Sequence, residues 1–272
     1  MPKPRKSVAR QARNDRRQTR RNHDGLHQMA ANDFDVKPKI KARTEPVVPL
    51  NNAQKRYDGA IKSADVTFGI GPAGTGKTWF AAMRAGEAYD NGLIDKIIVT
   101  RPAVEAGENL GFLPGELEEK YDPYFRPVRE ALVQHFGEGK FEYMVKAGII
   151  EARPLALLRG SSIDRAWIIA DEMQNATRTQ FKMLLTRGGK GTKFIVNGDP
   201  KQTDLPAGQS GLADAVQRLA NKPGIRAVRF TADDIVRSGL TQIVVQAYED
   251  SKGEDIDFDF DPRAGLEKTL AA

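Results

Sequence analysis

Val66-Thr67-Phe68-Gly69-Ile70-Gly71-Pro72-Ala73-Gly74-Thr75-Gly76-Lys77-Thr78 is the stretch that decides the fold. Its first five residues carry no charge and read as a buried strand. The next eight match the spacing GxxxxGK[ST], and good helix formers follow from Lys77 to Ala88. Strand, glycine-rich turn and helix form the context in which this spacing wraps backbone N–H groups around phosphate. In that role Gly71, Pro72, Ala73, Gly74, Thr75 and Gly76 form the cradle, helped by the positive end of the helix dipole. Lys77 reaches the β- and γ-phosphates, and the Thr78 hydroxyl binds Mg²⁺. A purely structural turn would explain the glycines but not Lys-Thr at this offset.

Working outward, the chain alternates strand and helix patterns. A short helix is expected over Ala53–Ile61, ahead of the strand Val66–Ile70. Further strands are expected at Lys96–Thr100, Ile149–Arg153, Ala166–Ala170, Lys193–Asn197 and Arg226–Phe230. Helices are expected at Arg126–Phe136, Phe141–Ala147, Thr177–Thr186 and Leu212–Leu219, and over Asp233–Tyr248, where Val236, Leu240, Ile243, Val244 and Ala247 recur at helical spacing. This alternation predicts an α/β fold with a mostly parallel sheet covered by helices on both faces.

Two more strands end in polar groups suited to a triphosphate. Trp167-Ile168-Ile169-Ala170 runs into Asp171-Glu172. The first carboxylate is placed to hold Mg²⁺ and the second to orient and polarise an attacking water. Lys193–Asn197 leads into Gly198-Asp199-Pro200-Lys201-Gln202, where Gln202 can sense a γ-phosphate. In an open parallel sheet the carboxyl ends of the strands form the ligand crevice, so all three sets face one place.

Charge is distributed unevenly. The net +6 divides into +8 on residues 1 to 21, with nine Lys or Arg against one Asp, and −2 on the remainder, with 33 basic and 35 acidic residues. Residues 1–45 therefore read as a disordered basic arm able to bind phosphate backbones without reading sequence. Residues 46–250 are expected to form one P-loop ATPase domain, and 251–272 an acidic, flexible tail. There is no cysteine, which excludes disulfides and thiolate metal sites. His23 and His27 lack a third ligand nearby and read as solvated, while His135 is expected on a helix surface or boundary. No apolar run is long enough to span a bilayer, so no membrane partner and a cytoplasmic location are expected.

These residues resemble the PhoH family, ATPases whose core is similar to the motor domain of superfamily 1 helicases. The matching segments are Gly71–Thr78, Thr100-Arg101-Pro102 with Glu105 and Leu110–Gly115, Asp171-Glu172-Met173-Gln174-Asn175, Gly198–Pro206 and Asp234-Ile235-Val236-Arg237. The resemblance implies a RecA-like core over roughly residues 50 to 250, ATP with Mg²⁺, and a homo-oligomer such as a hexameric ring. It makes Lys77 and Thr78 phosphate and Mg²⁺ contacts, Asp171 the Mg²⁺ partner, Glu172 the catalytic carboxylate and Gln202 the γ-phosphate sensor. Gln54 and Tyr57 look like the helicase adenine-recognition pair, one reading the base edge and the other stacking on it. Arg101 becomes a candidate nucleic-acid contact. Arg237 resembles an arginine finger, supplied by a neighbouring subunit because no second motor domain is expected. Met173 stands where the family has Ala, and Ser238-Gly239 where it has His-Pro. Neither the longer amino-terminal domain of cellular members nor an appended nuclease domain is expected, and compactness with the basic arm suits a phage-encoded member.

The function expected is an oligomeric ATPase acting on RNA or single-stranded nucleic acid in a helicase-like way. The alternative is an ATP-binding regulatory or scaffold module with slow turnover and a protein partner as output.

Overall fold

The computed structural model describes residues 40–102 and 117–236. The basic arm up to Lys39, Glu105 with Leu110–Gly115, Arg237 and the acidic tail lie outside the described residues.

Six strands form one sheet in the order β3-β2-β4-β5-β1-β6, and every pairing is parallel. They are β1 (Val66–Ile70), β2 (Lys96–Arg101), β3 (Ile150–Pro154), β4 (Ala166–Ala170), β5 (Lys193–Gly198) and β6 (Ile225–Arg229). Among the described residues six helices cover them: α1 (Asn52–Ser63), α2 (Lys77–Asp90), α3 (Leu117–Phe136), α4 (Glu138–Lys146), α5 (Arg178–Leu185) and α6 (Leu212–Leu219). This is an α/β fold of the P-loop NTPase type. Among the described residues no helix is long and apolar enough to cross a membrane.

Side chains alternate across the sheet, so β2, β4 and β5 each feed two cores. Ile97, Val99, Trp167, Ile169 and Ile195 face α1 to α4, packing against Phe80, Met83 and Leu132. Ile98, Ile168, Ala170, Phe194 and Val196 face the other way, against Leu155, Phe181, Leu184 and Leu212. Because β4 is buried on both faces, it reads as an unbroken apolar run.

Local chemistry sets several boundaries. Asn51 caps α1 by accepting the Gln54 N–H at 2.8 Å, and Thr177 with Gln180 forms a capping box that starts α5. Two expectations are corrected. Helix α3 begins at Leu117 rather than Arg126, running through Pro123 and Pro127. Proline normally breaks a helix interior, but Phe125 and Val128 are buried in the core, and that packing outweighs the lost N–H. The helix expected from Asp233 does not start there. Thr231 and Asp234 cap each other around a 3₁₀ turn at Ala232–Asp234, and Ile235 is then extended. The Val236 N–H donates to Gly74 O at 3.0 Å, so the chain follows the glycine-rich loop instead of turning into an α-helix. The rest of that expected helix lies outside the described residues.

Candidate nucleotide site

Strand order decides what meets at the carboxyl edge of the sheet. β5 lies between β1 and β4, so the loop after β5 sits between the glycine-rich loop and the Asp171-Glu172 pair. A cavity of about 370 Å³ opens there, walled by Gly74, Lys77, Thr78, Asp171, Glu172 and Gln202.

The loop needs its glycines. Gly71, Gly74 and Gly76 have φ of 138°, 82° and 86°, which L side chains rarely adopt. A Cβ on Gly71 would also lie 2.3 Å from the Phe230 carbonyl oxygen. Lys77 Nζ donates to the carbonyls of Gly71 and Pro72, both at 2.7 Å, and approaches Thr75 Oγ1 at 3.2 Å. Burial lowers the Lys77 pKa, and the charges of Asp171, Asp199 and Glu172 pull it back up.

The Thr78 hydroxyl lies 3.2 and 3.1 Å from the two oxygens of Asp171. Burial raises the Asp171 pKa and the Glu172 charge adds to it, while Thr78, Arg101 and Lys77 oppose the shift. Glu172 adopts φ 54°, a left-handed conformation that costs about 1 kcal/mol or more in a non-glycine residue. The turn is fastened by Asn175 N–H donating to Glu172 O at 3.1 Å, and a 3₁₀ turn follows at Met173–Asn175. Strain of this size persists only where surrounding contacts over-determine it. The Glu172 side chain lies 3.6 Å from Arg101 and accepts the Gln174 amide at 2.6 Å.

Gln174 ties two strand ends together. Its amide nitrogen donates to Glu172 Oε2 and to the Gln202 carbonyl at 3.3 Å, while its oxygen accepts the Asp199 N–H at 3.1 Å. Asn175 pairs with Asp204 through both its amide atoms. Both residues stand in a motif that the sequence singles out, yet no role for them is legible there. Met173 is buried in the second core, away from the cavity.

Lys77, Thr78, Asp171, Glu172 and Gln202 therefore share one cavity, and Arg101 stands beside it. Val236 is on its wall. Gln54 and Tyr57 do not line it, which corrects the expectation of a base-reading pair. Gln54 Nε2 donates to the Thr75 carbonyl at 3.0 Å and its Oε1 accepts the Leu50 N–H at 2.8 Å, so the amide braces the loop from behind. The Tyr57 ring is fully buried, edge-on to Phe230, and its hydroxyl donates to Asn197 Oδ1 on β5. Burial pushes the Tyr57 pKa well up, and no face of the ring is open for a base. The cavity does carry an aromatic side chain, Trp79, directly after Lys77-Thr78. Its position beside the motif was the available signal.

Comparison with known proteins agrees with this geometry. Residues 46–249 match the model of the family described as PhoH-like protein. The chain is 51% identical over 197 residues to a PhoH-like protein of Bacillus subtilis, a match covering 72% of this chain and 62% of that one. It is 46% identical over 208 residues to Protein PhoH of Escherichia coli, covering 75% and 59%. It is 49% identical over 200 residues to a PhoH-like protein of Synechocystis, covering 73% and 61%. The matched part thus spans roughly three fifths of the length of these relatives. With glycine-rich loop, acidic pair and the loop after β5 assembled on a parallel sheet, and with matches of this extent, the chain belongs to the PhoH family of ATPase-like P-loop proteins.

Proposed function

We propose that this chain is an Mg²⁺-dependent ATP hydrolase that acts on RNA or single-stranded nucleic acid as a homo-oligomer. The observation that carries the hydrolytic reading is the meeting of Thr78 with Asp171 at 3.1 Å, in the cavity that Lys77 and Glu172 also line. A hydroxyl and a carboxylate offer the hard oxygen ligands that suit Mg²⁺, which when bound would neutralise charge on the β- and γ-phosphates. Lys77 would add its charge to the same oxygens. Glu172 would orient the attacking water and accept its proton, held in place by Gln174 and Arg101. Gln202, exposed on the cavity wall, would contact the γ-phosphate.

Support for nucleic acid comes from the +8 arm in residues 1–21, suited to counterion release, and from Arg101 at the end of β2. Support for an oligomer comes from the resemblance of Arg237 to an arginine finger. The test is steady-state ATP hydrolysis with and without single-stranded RNA or DNA, at low and high salt. Stimulation that disappears in Glu172→Gln while ATP binding persists is the expected result. Slow turnover indifferent to every nucleic acid would instead support an ATP-gated scaffold with a protein partner.

A further inference from the structure

A triphosphate seated on Gly71–Thr78 leaves its base to the side chains at the rim of the cavity. Among the described residues lining it, Trp79 is the only aromatic one, with Pro127 and Val236 as apolar neighbours. Trp79 is partly exposed although it borders the core. Its ring is held firmly. Nε1 donates to Gln134 Oε1 at 3.1 Å, Phe80 packs against it at 5.3 Å and 80°, and the Arg43 guanidinium lies 5.4 Å from its centroid. The Arg43 backbone N–H donates to the Gln134 backbone carbonyl at 2.8 Å, which holds the segment carrying Arg43 beside the indole. A ring already immobilised loses little freedom when a ligand stacks on it.

We propose that Trp79 is the platform on which the nucleotide base stacks, and that Gln54 and Tyr57 support the loop without reading the base. This rests on the triphosphate reading of Gly71–Thr78. Stacking accepts any base because each has a π-face, and larger rings gain more from it. Both amide atoms of Gln54 are engaged by protein. Purine triphosphates should therefore bind with similar affinity to one another and more tightly than pyrimidine ones.

The test compares Mg²⁺ complexes of ATP, GTP, UTP and inorganic tripolyphosphate, a base-free probe, on the full chain. Trp79→Ala should weaken ATP and GTP binding about tenfold and leave tripolyphosphate unchanged, while Trp79→Phe should stay within about threefold of wild type. The chain holds two tryptophans, and Trp167 is buried at the amino end of β4, so Trp167→Phe leaves Trp79 as the sole reporter. ATP should change its fluorescence and tripolyphosphate should not. Equal losses for ATP and tripolyphosphate in Trp79→Ala, or an indole signal indifferent to ATP, would overturn the stacking role alone. A wild-type chain that binds neither probe would overturn the triphosphate reading and the platform with it.

Discussion

Gln174 donates its side-chain amide to the Glu172 carboxylate at 2.6 Å while its carbonyl oxygen accepts the Asp199 N–H at 3.1 Å. One buried amide thereby joins the end of β4 to the loop after β5.

Removing that amide should misplace Glu172 without touching the loop that holds phosphate. Gln174→Ala is expected to lower kcat about tenfold or more with KM for ATP little changed, the pattern of an interaction that matters in the transition state. Gln174→Glu replaces the donated bond with a second carboxylate facing Glu172, and this repulsion should lower kcat further than the alanine does. Steady-state kinetics checks both, and a Gln174→Glu as active as wild type would contradict the placement.

Gly69 sits in the strand that leads to the glycine-rich loop, and a Cβ there would lie 2.8 Å from both Asn197 Oδ1 and Tyr57 Cε2. All three are packed into one bonded cluster, so neither neighbour can yield cheaply. Gly69→Ala should cost about 1–3 kcal/mol of stability, as overpacking generally does. Denaturant unfolding monitored by circular dichroism measures the cost.

Asp90 at the end of α2 accepts from Lys140 at 2.7 Å and lies 2.9 Å from His135 Nε2, stapling α2 to α3 and α4. Partial burial alone would raise its pKa, but the bonds from Lys140 and His135 lower it below the ordinary carboxylate value. A carboxylate with a depressed folded pKa contributes stability above its unfolded pKa and loses it as pH falls through the folded one. Asp90→Asn should therefore destabilise by about 0.5–1 kcal/mol near neutral pH, a modest figure because the site is partly solvated. Melting curves of the two proteins should converge as pH falls through the folded-state pKa of Asp90, which lies below the ordinary carboxylate value.

An arginine supplied in trans predicts complementation. Lys77→Ala and Arg237→Ala should each abolish hydrolysis alone, and mixing them should restore part of it at hybrid sites. Turnover per site in the wild type should also rise with protein concentration until oligomers form. Absence of recovery across all mixing ratios would assign the arginine to its own chain or to another role.

Much of this was legible from local pattern. The bounds expected for β1, β4 and α6 coincide with those observed, because uncharged runs bounded by charge or glycine mark the strands and apolar residues at helical spacing mark α6. Lys77, Thr78, Asp171 and Glu172 were legible because their spacing from a strand end is itself the signal. Helix α3 begins ahead of the expected Arg126 because proline is locally a first-turn residue, as at Pro127, whereas the buried Phe125 and Val128 carry the helix through it.

Tyr57, Gln174 and Trp79 show the other side. Nothing local distinguishes a tyrosine that stacks on a base from one that is buried against Asn197, 140 positions further along the chain. Gln174 gains its partners only when β5 inserts between β1 and β4, a pairing set by long-range contacts. The sequence alone determined that a strand would end in a phosphate-binding loop, since backbone conformation and spacing are local properties. Which side chains stand around that loop, which brace it from behind and which line its cavity was decided by the order of strands in the sheet. That order follows from the packing of two apolar cores, which no short window of sequence contains.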